Sequence, residues 1–108
     1  MSDELCEVVI TAPDRSWLVE TCRQLVEAKL ASSAHVVHPV TSIYRWDGRV
    51  HEAIEARAFL RSRRASVDEI VAYVIPRHPY DVPNVTATAI VGGNPSYLQW
   101  VRDATVEV

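Results

Sequence analysis

The chain has 108 residues, 48% of them hydrophobic and 23% charged, which is the balance of an ordinary globular domain rather than of a disordered or fibrous chain. Its formal net charge of -3 and pI near 5.7 exclude the basic excess that a nucleic-acid binder uses to displace counterions from phosphates. No window approaches the roughly 20 apolar residues of a membrane span, and the acidic start Met1-Ser2-Asp3-Glu4 is unlike a signal peptide, so one cytoplasmic domain over residues 1–108, with no nucleic-acid or membrane partner, is expected.

A domain of this size buries only about two-thirds of the surface of its unfolded chain, so self-association would add a good deal of burial. Leu5 to Ala12 is a continuous apolar run centred on Val8, Val9 and Ile10, which reads as a central strand. Pro13-Asp14 breaks it. Leu18, Cys22, Leu25, Val26 and Leu30 then recur at helical spacing, predicting a helix over 14–31. Ala34 to Trp46 is rich in β-branched and aromatic residues and predicts a strand with an irregularity at Pro39, because proline lacks the N–H that a ladder uses. Asp47-Gly48 signals a tight hairpin turn. Beyond it Val50, Ile54, Ala56, Ala58 and Leu60 alternate with His51, Glu55, Arg57 and Arg61, the pattern of a long, half-exposed strand.

Ser66 and Glu69 form a capping box at the start of a second helix, marked by Val67, Ile70, Val71, Val74 and Ile75 and closed by Pro76. Asn84 to Val91 predicts a fourth strand. Pro95 to Asp103 predicts a short helix, and Ala104 to Val108 a final strand. The order is that of an α+β, ferredoxin-like βαββαβ domain, an antiparallel sheet with helices on one face and a short C-terminal helical segment. The other face, with Tyr44, Trp46 and Phe59, then needs a partner or water.

Cys6 and Cys22, both in apolar runs, are expected to be buried free thiols. The basic cluster Arg57, Arg61, Arg63 and Arg64 reads as a solvated strand end and turn. Four histidines invite a metal reading. His35 and His38, three apart on a strand, point to opposite faces, whereas His51 shares a face with Glu55 some 13 Å away by strand rise. His78 opens the loop His78-Pro79-Tyr80-Asp81-Val82-Pro83, where two prolines hold His, Tyr and Asp together; this is either a functional loop or a shaped turn whose histidine caps the preceding helix. His35, His51 and His78 are the candidate metal ligands. No zinc-binding, phosphate-cradling or nucleophile motif is present, and neither an enzyme nor an organic cofactor is expected.

Three segments, Ser42 to Val50, His78 to Pro83 and Gly93 to Trp100, together resemble the CutA family of divalent-cation tolerance proteins, with further likeness at Thr11 to Asp14 and Lys29 to Ala31. The resemblance runs from about residue 7 to residue 101. It implies a ferredoxin-like subunit, a tight homotrimer, binding of copper and other divalent ions in tolerance and response to metal ions, and a structural similarity to the PII signalling proteins. It places Ser33, Glu55, Arg61, His78 and Tyr80 in an inter-subunit cleft. Tyr44 and Trp46 of the hairpin, with Tyr97 and Trp100, are candidate anchors of the trimer interface.

Two departures bear on chemistry. Ser33 stands where the family usually has a cysteine, and a hydroxyl is a far poorer ligand for copper than a thiolate; His35, on the same face at i+2, would offer an imidazole instead. Arg61 stands where a lysine is usual, and its planar fork favours a carboxylate or phosphate. Two other readings follow: a PII-like sensor of a small anionic metabolite, and a structural trimeric scaffold for a protein partner.

Overall fold

The computed structural model describes residues 4–106. Strand β1 (Leu5–Ala12) leads through helix α1 (Arg15–Glu27) to the long hairpin of β2 (Ser33–Trp46) and β3 (Arg49–Arg63). Helix α2 (Val67–Val74), strand β4 (Val85–Ala89) and helix α3 (Pro95–Asp103) complete the chain. The sheet order is β2-β3-β1-β4 with every neighbouring pair antiparallel. β3 therefore lies between β1 and β2, which run parallel to each other, as the split βαβ order predicts.

The core follows the two-residue period of the strands. Cys6, Val8 and Ile10 of β1 and Ala56, Ala58 and Leu60 of β3 point to one face, where Leu18, Cys22 and Leu25 of α1 and Ile70 and Val74 of α2 cover them. Ile10, Leu18, Leu25, Leu60 and Ile70 are fully buried, and each contributes about 1.5–3 kcal/mol relative to exposure. Both cysteines are free and buried, as expected. Desolvation raises the Cys22 thiol to about 11.

Several predicted boundaries move for local reasons. α1 stops at Glu27 rather than near residue 31, because Lys29 takes a left-handed conformation, with φ 61°. Its N–H donates to the Val26 carbonyl and that of Leu30 to the Leu25 carbonyl, a Schellman ending built without glycine. The Ser66–Glu69 capping box does not form. A 3-10 turn over Arg64–Ser66 runs straight into α2, so Ser66 is already helical and its buried hydroxyl has no partner among the described residues. β4 is shorter than predicted. Residues 104–106 form no strand, and Glu107 and Val108 lie outside the described residues.

The basic cluster is not simply solvated. Arg63 is buried, its Nε donating to Thr105 Oγ1 at 2.9 Å and its NH2 to the Arg102 carbonyl at 2.8 Å, so it ties the end of β3 to the C-terminus of α3. Arg61 is ion-paired with Glu7, Arg64 with Glu4, and Arg57 lies over the Phe59 ring.

Candidate functional site

The irregularity at Pro39 decides which side chains meet. Val37 pairs with Arg57 and Val40 with Glu55, so β2 holds one residue more than β3 across this stretch, around a cis His38-Pro39 bond. Ahead of the bulge Ser33 and His35 share the helix-free face with their partners Arg61 and Phe59; beyond it that face passes to Ser42 and Tyr44, opposite Ala53 and His51. Without the extra residue the same pleat would turn Ile43 to this face and Tyr44 away from it. Asp47 and Gly48, both with positive φ (53° and 75°), then close the hairpin in the turn its strand twist favours.

The loop after α2 folds back against this face. His78 is buried and uses both ring nitrogens. Its Nε2 lies 2.7 Å from the Thr11 carbonyl and its Nδ1 3.0 Å from the Tyr80 N–H. An amide N–H only donates and a carbonyl only accepts, so the ring is the neutral tautomer with its proton on Nε2. Trp17 meets the ring edge-on at 5.0 Å. His78 thus pins the loop to the end of β1, neither capping α2 with its side chain nor presenting a free nitrogen.

Held this way, Tyr80 donates its hydroxyl to Glu55 Oε2 at 2.9 Å. Partial burial first, then Glu55 as hydrogen-bond partner and charge, with Tyr44 adding to it, push the phenol up to about 12. The loop and the hairpin enclose a cleft of about 550 Å³, with Glu55, Tyr80, Asp81, Tyr44, Trp46 and Ser42 among its walls. Among the described lining residues there is no Lys, Arg or His.

Of the five residues assigned to one cleft, a single chain brings together Glu55, His78 and Tyr80. Ser33 and Arg61, partners across β2 and β3, lie six residues further along the ladder from Glu55, about 20 Å away. The Ser33 hydroxyl is buried without a partner among the described residues. His35 and His51 sit opposite Phe59 and Tyr44 at separate levels of the same face, His51 stacking on Tyr44 at 5.4 Å with Nε2 3.0 Å from the Trp46 carbonyl. Among the described residues no group of three or more His, Cys, Asp or Glu converges to hold a metal ion. Tyr97 and Trp100, both exposed on α3, meet at a tilt of 37° with ring centroids 5.6 Å apart.

Sequence reading missed Glu7 and the Thr11 carbonyl, and named Asp81 only as part of the loop. Glu7 left a signal, a lone charge inside an apolar strand. The carbonyl left none, since every residue has one.

The hairpin beyond residue 42 is uncovered on both faces. Ile43 is 67% exposed on the helix side and Trp46 55% exposed on the other. The hairpin stretches the molecule to 43 × 25 × 24 Å. No helix among the described residues is long and apolar enough to cross a membrane.

The sequence model of one protein family, described as "CutA1 divalent ion tolerance protein", matches residues 6–104. The chain is 36% identical over 107 residues to a Xenopus laevis protein named "Protein CutA homolog", covering 99% of this chain and 71% of that one. It is 32% identical over 98 residues to the Arabidopsis thaliana "Protein CutA, chloroplastic", covering 91% of this chain and 54% of the relative, so the chain spans about half the length of that relative. A solved structure, the divalent cation tolerance protein (Cut A1) from Thermus thermophilus, superposes with a TM-score of 0.91 at 34% identity, covering 94% of this chain and 99% of that chain.

Proposed function

We propose that this chain, which belongs to the CutA1 family of divalent ion tolerance proteins, works as a cytoplasmic homotrimer that binds divalent cations, copper among them, in tolerance of and response to metal ions, without catalysing a reaction. The observation that supports assembly is the bare hairpin. Two strands alone are at best marginally stable in water, yet here they carry Ile43, Tyr44, Trp46, Val50 and Ile54 into solvent. A neighbouring copy would cover these side chains, and the exposed Tyr97 and Trp100 of α3 would supply anchors for it.

The metal half of the reading draws on the family, because the donors of one chain do not build a site. Cys6 and Cys22 are locked in the core, Ser33 offers only a hydroxyl, and both nitrogens of His78 are engaged. His35 and His51 are the imidazoles left on the helix-free face, and a shared site would take them from different copies. The test is calorimetry with copper, zinc and nickel on protein whose mass is followed by sedimentation. The reading expects a trimer and a stoichiometric site tighter than a lone surface histidine, weakened in His35→Ala or His51→Ala. A trimer with no such site would remove the metal half alone, and a monomer would remove both.

A further inference from the structure

Glu55 is only 8% exposed, and its hydrogen bond is to the neutral Tyr80 hydroxyl; none of the ion pairs among the described residues includes it. A carboxylate taken out of water is ordinarily answered by a cation, because an uncompensated buried charge is costly. The helix-free face of β3 carries Arg49, Arg57, Arg61 and Arg63, and a single chain gives none of them to Glu55. Arg63 is turned under α3, bonded to Thr105 and to the Arg102 carbonyl. Arg57, two places from Glu55, lies instead over the Phe59 ring, 5.5 Å from its centroid. Arg49 stands at the exposed end of the hairpin, with no carboxylate against it among the described residues. Arg61 differs. Glu7, directly across the ladder on β1, holds its NH1, while the Arg61 side chain is still 28% exposed.

A guanidinium has five N–H donors in a planar fork, so one arginine can hold two carboxylates. The pair with Glu7 has already ordered the long side chain, which lowers the entropy cost of a second contact. One face thus offers an acid short of a cation and, about 20 Å along the ladder, an arginine with donors to spare. They cannot meet within one chain, but a second copy can join them. We propose that Arg61 of one copy reaches Glu55 of the next, so that Glu7, Arg61 and the neighbour's Glu55 form one ionic bridge across each subunit boundary. This rests on the trimer proposed above and names the polar contact that sets its register. Each copy gives Glu55 to one neighbour and Arg61 to the other, and three such contacts close a ring. The apolar hairpin supplies burial, the bridge orientation, and Glu7 positions Arg61 for it.

The test is crosslinking of the full chain carrying Glu55→Cys/Arg61→Cys, with a bismaleimide too short to span the roughly 20 Å within one chain; the native Cys6 and Cys22 are buried. A covalent trimer on a denaturing gel is the expected result, with no product from either single variant or from Glu55→Cys/Arg49→Cys. A product that stops at a dimer would mean a two-fold pairing, and a product from the Arg49 variant alone would name another arginine; either overturns the proposal. Should the double cysteine variant fail to assemble, a cycle of Glu55→Gln, Arg61→Gln and both together, read by sedimentation as the dissociation midpoint, decides the matter. Each single change should weaken assembly about tenfold or more, and the two together by less than the product of the singles. Glu7→Gln should weaken it about two- to fivefold. Singles that multiply independently would overturn the bridge. An unaltered chain that is a trimer, with neither crosslink nor coupling, loses the bridge alone, whereas an unaltered chain that is a monomer loses the trimer reading and the bridge with it.

Discussion

Replacing His78 by phenylalanine tests the pin that builds the cleft. The benzyl ring keeps the edge contact with Trp17, 5.0 Å between centroids, so the change removes hydrogen bonds rather than volume. Two are lost, from Nε2–H to the Thr11 carbonyl and from the Tyr80 N–H to Nδ1. Each such bond contributes about 1 kcal/mol net, and a buried group left without a partner costs about 1–3 kcal/mol. The Tyr80 amide lies in an exposed loop and can turn to water, which leaves the Thr11 carbonyl as the larger loss. The sum is about 2–4 kcal/mol, a large share of the roughly 5–15 kcal/mol that holds a domain folded. Equilibrium urea unfolding should find it as a lower midpoint at unchanged slope, with protein concentration held fixed because association adds stability of its own. Combination with Tyr80→Phe should give a coupling energy of about 0.5 kcal/mol or more, since His78 acts by placing Tyr80. A loss below about 0.5 kcal/mol, with no coupling, would refute the pin and leave the loop held by its two prolines alone.

Three further outcomes are expected. Arg63→Met, which fills the space but removes the hydrogen bonds donated to Thr105 Oγ1 and to the Arg102 carbonyl, should lower stability by about 1–3 kcal/mol, whereas the same change at exposed Arg64 should leave the unfolding midpoint nearly where it was, both by urea unfolding. Tyr80 holds its proton to about 12 against an ordinary value of 10.0, so its contribution to stability is full below pH 10 and is lost as pH rises through 12; ultraviolet titration of Glu55→Gln should move that step down. Cys6 and Cys22 are buried and both thiols are raised by desolvation, so a disulfide exchange reagent should leave native protein unmodified and label both after urea unfolding, and fast labelling of the native chain would contradict the packing.

Much of this molecule can be read along the chain because the signals involved are local. The apolar run of β1, the helical spacing of Leu18, Cys22 and Leu25, the Asp47-Gly48 turn and the span Pro95–Asp103 depend on near neighbours, and each stands where the sequence places it. The motifs at Ser42 to Val50, His78 to Pro83 and Gly93 to Trp100 likewise sufficed to indicate the family. What failed locally was decided by packing. The Ser66 cap yielded to a 3-10 turn, and Arg63, one of four similar arginines in sequence, is held inside by its hydrogen bonds to Thr105 and to the Arg102 carbonyl at the end of α3. The family resemblance named Glu55, His78 and Tyr80 together, but the geometry that joins them belongs to tertiary structure. One extra residue between Val37 and Val40 changes the face of every later side chain in β2, and only the return of the 78–84 loop, through a backbone carbonyl at Thr11 that no residue type reveals, brings Tyr80 to Glu55.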